Sequence, residues 1–145
     1  MPEAWTDHVL ARMRAETGRS GGARRVVVEL LGRQDCCLSA QEIHDAVRSE
    51  GSRVGVASVY RALESLDALG LTQRVDLGDG MSRFERVDPR GDHHHHLVCD
   101  DCGKVEPFED TALEQALERV AGGRGYEVAA HDVVLRGACG DCRAA

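Results

Sequence analysis

Aromatic side chains are scarce in this chain: one Trp, two Tyr and two Phe serve 145 residues. Five rings cannot fill a large core, although a 42% hydrophobic share still allows one ordinary domain or two small ones. A core this thin calls for a staple, and a metal ion is the obvious candidate. Long apolar runs are missing as well. None approaches the roughly 18–20 residues needed to span a bilayer, so no membrane association is expected. The opening Met1-Pro2-Glu3-Ala4-Trp5 lacks the basic and apolar regions of a secretory leader. A cytoplasmic location is the resulting expectation. Cysteines stay reduced there, and paired spacing points to metal rather than to disulfides.

An excess of positive charge is also absent. The net charge is −7, which argues weakly against nucleic acid as a partner. Its distribution softens the objection. Residues 1–88 hold 12 Arg/Lys against 14 Asp/Glu (12 − 14 = −2), and residues 89–145 hold 6 against 11 (6 − 11 = −5). Between residues 12 and 25, Arg12, Arg14, Arg19, Arg24 and Arg25 are opposed only by Glu16. That local basic patch matters more for phosphate contact than the global sum.

What the chain does have is concentrated in its last third. Two Cys-x-x-Cys pairs, Cys99/Cys102 and Cys139/Cys142, are separated by 36 residues, room for a whole βαβ element. Four thiolates suit a closed tetrahedral zinc site, because zinc needs neither redox chemistry nor an open position there. The run His93-His94-His95-His96 ends three residues before the first pair. Side chains alternate along a strand, so His93 and His95 face one way and His94 and His96 the other. One run can thus feed two further metal sites on opposite faces. A fixed metal beside exchangeable ones suggests a sensor rather than a metalloenzyme.

Periodicity places helices over about residues 4–16, with Trp5, Val9 and Met13 inward, and over 23–31, stopped by Gly32. Ser39 and Glu42 have capping-box spacing at the head of a third helix that ends near Gly51, and a fourth runs from about 57 to 69. Residues 71–76 and 81–86 are short strands joined by the turn Leu77-Gly78-Asp79-Gly80. Helices followed by a two-stranded hairpin make a winged helix-turn-helix over residues 1–88. Pro89-Arg90-Gly91-Asp92 is a hinge. Residues 93–145 form a small α/β unit, with strands near 95–98, 104–108 and 126–138 and a helix over 111–120, so the fold class is α+β. The fourth helix presents Ser58, Tyr60 and Arg61 near its N-terminus, away from Val59 and Leu63. That is where a recognition helix reads base edges and fixes phosphates.

Over nearly its full length the chain resembles the ferric uptake regulator family of bacterial metal-dependent repressors. The residues that carry the likeness are Ser39-Ala40-Gln41-Glu42-Ile43, Ser58-Val59-Tyr60-Arg61-Ala62-Leu63, and His93 through Cys99 continued by Cys102-Gly103-Lys104-Val105. The resemblance implies an N-terminal winged helix, a C-terminal dimerisation domain, and repression of metal-uptake or stress genes from a palindromic operator in double-stranded DNA. It supplies Glu114 and His131 as partners of His93 and His95. For His94 and His96 it supplies a sensing site completed by Glu85, Asp88 or Cys37. Where the family carries Arg-x-Thr-x-x-Arg, this chain reads Arg19-Ser20-Gly21-Gly22-Ala23-Arg24, with Arg19 and Arg24 as backbone contacts. His95 stands where relatives often have Asp, which points to the zinc-sensing branch. Zn(II) is therefore the expected structural and regulatory metal, with Fe(II), Mn(II), Ni(II) or peroxide sensing as alternatives.

Two readings outside the family compete. A zinc hydrolase would need an open metal position and a catalytic cluster, and no HExxH-type motif is present, so no catalytic residue and no small organic substrate are expected. A zinc-binding structural or storage protein would not need the winged helix.

Overall fold

A computed structural model describes residues 2–18, 21–88, 91 and 93–144, in two compact units, residues 1–92 and 93–145. Arg19, and Pro89, Arg90 and Asp92 of the expected hinge, lie outside the described residues.

The first unit is built on four helices, α1 (Pro2–Thr17), α2 (Gly22–Arg33), α3 (Ala40–Ser49) and α4 (Val56–Ala68). Trp5, Val9 and Met13 recur every four residues on α1 and are all buried, so the helical period puts them on one stripe. They pack into a single core with Val27, Val28 and Leu31 of α2, Ile43 and Val47 of α3, and Val59, Leu63 and Leu66 of α4. Each fully buried aliphatic side chain contributes about 1.5–3 kcal/mol. Gly32 does not stop α2. It lies buried inside the helix, which runs on to Arg33.

Helix α3 starts at a complete capping box. Ser39 Oγ accepts the Glu42 N–H at 3.1 Å, and Glu42 Oε2 accepts the Ser39 N–H at 2.8 Å. Just before it, Leu38–Ser39 form a two-residue strand, β1, too short to show a period in sequence. It pairs antiparallel with β3 (Ser82–Arg86), and β3 pairs with β2 (Thr72–Asp76), giving the order β1-β3-β2. The hairpin turn is held by two carboxylates. Asp76 Oδ1 accepts the Gly78 N–H at 2.8 Å and Asp79 Oδ1 accepts the Met81 N–H at 3.1 Å. The buried Arg83 guanidinium meets Asp79 at 2.8 Å and holds its carboxyl below the usual carboxylate range.

The second unit has a three-stranded sheet in the order β5-β4-β6, made from β4 (His95–Cys99), β5 (Val105–Phe108) and β6 (Val134–Gly137). Strands β4 and β5 are antiparallel, whereas β4 and β6 are parallel, and the long crossover that parallel pairing needs passes through β5 and a helix. That helix is α5 (Thr111–Gly122), capped by Asp110, whose carboxylate accepts the Leu113 N–H at 2.8 Å. The last strand is shorter than residues 126–138 suggested. Strand β4 pairs with it only over His96–Cys99, and the stretch before Val134 is irregular, tied to β4 at its end where the Val133 carbonyl accepts the His96 N–H at 3.1 Å. A short α6 (Gly140–Arg143) follows. Among the described residues of this unit, only His95, His96, Val98 and Cys99 are buried. No described helix is long and apolar enough to cross a membrane.

Candidate metal centres and nucleic-acid interface

The two knuckles meet. One sulfur from each of Cys99, Cys102, Cys139 and Cys142 falls within 4.8 Å of the others, and the Cys102 and Cys139 sulfurs are 3.8 Å apart. Two turns shape the cup. Gly103, with φ +77°, lets the chain reverse after Cys102, and its N–H bonds the Cys99 carbonyl at 2.9 Å. Cys139 caps α6, whose single turn swings Cys142 back. The Cys139 N–H donates to Cys99 Sγ at 3.2 Å; with further backbone donors this lowers the Cys99 thiol to about 6. The neighbouring sulfurs of Cys139, Cys99 and Cys102 push Cys142 up to about 12, as expected of crowded thiols. A divalent cation would reverse that crowding, and the donor set suits zinc.

The face bearing His93 and His95 forms a second cluster. The ligand atoms of His93, His95, Glu114 and His131 also lie within 4.8 Å of one another. Glu114 sits in the first turn of α5 and divides its oxygens: Oε1 is 2.5 Å from His95 Nε2, and Oε2 is 2.6 Å from His131 Nε2. His93 Nε2 stands 3.9 Å from Oε1. These contacts, His95 foremost, hold the Glu114 carboxyl below the ordinary carboxylate value. His95 is 1% exposed, tilted against Phe108, and its Nδ1 accepts the Val133 N–H at 3.2 Å. The irregular stretch before β6 is what delivers His131. Three imidazoles and one carboxylate fit zinc better than an oxygen-seeking metal.

His94 and His96 stack edge to face with centroids 5.0 Å apart, as do His93 and His95 at 4.5 Å. The alternation expected of a strand therefore holds, although β4 begins only at His95.

Within the first unit, β1 runs beside β3 and brings the cysteines before it to Glu85. Cys36 Sγ lies within 4.8 Å of a Glu85 carboxylate oxygen, and Glu85 Oε1 accepts from Gln73 Nε2 at 2.6 Å. Cys36 and Cys37 differ in burial. Cys37 is the buried one, 4% exposed, and Cys36 is half-buried. The Cys36 thiol beside it, then burial, push the Cys37 thiol far up. From sequence Cys36 is more readily taken as a small buried hydrophobe, and only Cys37 as a ligand, whereas Cys36 is the half-buried thiol that lies beside Glu85. The pairing Leu38↔Phe84 that brings it to Glu85 is a long-range contact with no local signature. Asp88 is half-buried, two residues past the end of β3.

On α4, Tyr60 is 50% exposed and Arg61 is exposed, its Nη2 donating to Ser58 Oγ at 3.0 Å. The helix starts one residue earlier than expected, so Val56, 40% exposed, joins that outward face. The basic patch is weaker than its sequence implied. Arg25 pairs with Glu29 at 2.8 Å and Arg12 with Glu16 at 3.7 Å, while Arg24 is half-buried.

An N-terminal winged helix followed by a small α/β unit rich in clustered metal ligands defines a class of metal-responsive transcriptional regulators, which are not enzymes. The chain belongs to the ferric uptake regulator family, whose model matches residues 16–136. The ferric uptake regulation protein of Bordetella parapertussis is 38% identical over 106 residues, covering 73% of this chain and 75% of that protein. Among solved structures, the Helicobacter pylori ferric uptake regulator, described as revealing three functional metal binding sites, superposes with a TM-score of 0.82 at 25% identity, over 99% of this chain and 94% of that one. A zinc-bound manganese uptake regulator gives 0.76 at 27% identity, over 90% and 98%.

Proposed function

We propose that this protein is a cytoplasmic, homodimeric, zinc-sensing repressor that binds a palindromic operator in double-stranded DNA. The observation that carries the choice of metal is the thiol of Cys36 beside Glu85. A sulfur ligand favours zinc over iron, which is better served by oxygen and nitrogen. Cys99, Cys102, Cys139 and Cys142 would hold a structural zinc. His93, His95, Glu114 and His131 would hold an additional one. Cys36 and Glu85 would share the sensing metal with His94 and His96, with Cys37 and Asp88 as the substitutes to test. Exposed Leu97, Leu135, Val120 and Val128 on the second unit support a homodimer, because apolar side chains gathered on one small unit are suited to a partner.

A cation at the sensing ligands would couple metal binding to operator binding. Metal would then tighten operator binding, and operator would tighten metal binding by the same factor. Iron is the second reading, favoured by the curated relatives, which carry the name ferric uptake regulation protein. Titrating Zn(II), Fe(II), Mn(II) and Ni(II) against operator affinity in the purified dimer separates the two. Activation by zinc at the lowest free concentration is expected. Operator affinity that does not change when a chelator empties the sensing site rules out metal control.

A further inference from the structure

The first unit contains a reactive arrangement that metal sensing alone does not use. Cys36 and Cys37 are adjacent in the chain, their sulfurs are 3.9 Å apart, and only Cys36 is appreciably open to solvent. Two residues later Ser39 caps α3, the helix that precedes the recognition helix, and Leu38 begins the pairing with β3. A chemical change at this pair therefore acts at once on the Glu85 side of the sensing ligands and on the entry to the helix-turn-helix. The four knuckle sulfurs also lie close together, but the proposed structural zinc would engage every one of them.

We propose that Cys36 and Cys37 form a thiol-oxidation site for small hydroperoxides, closing to a vicinal disulfide that removes Cys36 from the sensing metal. In the first step the Cys36 sulfur attacks the peroxide O–O bond. Cys36 becomes a sulfenic acid, and the other oxygen leaves as water or an alcohol after taking up a proton. In the second, the Cys37 thiol attacks that sulfenic sulfur, the S–S bond forms, and water departs. The two sulfurs together lose two electrons and the peroxide gains them. Consecutive α-carbons are about 3.8 Å apart, shorter than the separation disulfides prefer, so the bond is strained and readily reduced by a dithiol. Ready reduction is what a reversible switch needs. The open position of Cys36 and the buried position of Cys37 assign the attacking and resolving roles.

The regulatory consequence rests on the zinc-sensing reading; the disulfide itself does not. The test uses the full-length dimer, with the knuckle zinc kept and the sensing site emptied, treated with equimolar hydrogen peroxide, then alkylated and digested with trypsin. Cleavage after Arg33 and Arg48 gives a peptide whose only cysteines are Cys36 and Cys37. The expected result is that this peptide loses the mass of two hydrogens and recovers it with dithiothreitol. Cys37→Ser should instead accumulate a sulfenic acid trapped by a 1,3-dione, and Cys36→Ser should do neither. Metal-dependent operator affinity should fall on the order of 10-fold on oxidation and return on reduction. Oxidation confined to Cys99, Cys102, Cys139 and Cys142, with the Cys36–Cys37 peptide fully alkylated, overturns the proposal. A disulfide that forms without changing operator affinity overturns its regulatory half. Metal dependence of the reduced protein is measured first; its absence defeats the zinc-sensing reading and leaves the peptide result to judge the disulfide.

Discussion

Replacing Cys102 by Ser should unfold the second unit and leave the first folded. Cys102 is exposed, so losing its sulfur removes almost no packing, and any large effect must come through the metal. The first unit has a contiguous apolar core running from Trp5 to Phe84. The second buries just four described residues, two of them histidines. Val98 supplies about 1.5–3 kcal/mol by burial. A structural zinc in a four-thiolate site contributes on the order of 10–16 kcal/mol, several times more. Removing one ligand should therefore cost the second unit its fold even where a partner copy covers Leu135 and Val120. Hydrogen exchange at fixed protein concentration is the assay. Amides of β4, β5 and α5 should lose protection in Cys102→Ser and in chelated wild type, while amides of α2 and α4 keep theirs. Unchanged protection across β4 and α5 in zinc-free protein would refute the reasoning, since the sheet would then be standing without its staple.

Other perturbations have expected outcomes. Ser39→Ala removes the capping box and should cost the first unit ~1 kcal/mol, a drop of about 4–8 °C in its melting temperature by calorimetry. Tyr60→Ala and Arg61→Ala should each weaken operator binding by about 1–3 kcal/mol in fluorescence anisotropy, with melting unchanged because both side chains face solvent. Glu114→Gln should alter the acid limb of stability in protein whose knuckle zinc is kept but whose histidine site is stripped. The folded Glu114 carboxyl is depressed, so its contribution is present above pH 4.5 and is lost as pH falls through the lower folded value. Urea midpoints from pH 6 down to pH 3 should therefore fall less steeply in the variant.

Much of the fold was legible because its signals are local. The four-residue recurrence of Trp5, Val9 and Met13, the Ser39/Glu42 spacing and the Gly-rich hairpin turn each need only a few neighbouring residues to be read. The cysteine spacing and the alternation of the histidines were legible for the same reason. What escaped depends on contacts between distant residues. Strand β1 exists only because Leu38 finds Phe84, and the parallel β4–β6 pairing has no mark in either strand. The extent of β6 is set by its pairing with β4, and α6 by the knuckle it helps to close. That Cys36 lies beside Glu85 while Cys37 is buried belongs to this group, since it follows from the Leu38–Phe84 pairing just after them.

Strand β4 carries histidines at one end and Cys99 at the other, and its pairing sets Cys99 opposite Gly137, two residues before Cys139. The strand is therefore a ruler of fixed length. Inserting one residue between His96 and Cys99 would exchange the two histidine faces or draw Cys99 away from its knuckle, because side chains change sides at every step. Chain length is free to drift in the irregular stretch between α5 and β6, provided His131 still reaches Glu114. It is not free to drift across Leu97-Val98, two residues with no metal chemistry of their own whose number keeps every proposed metal centre of the second unit in phase.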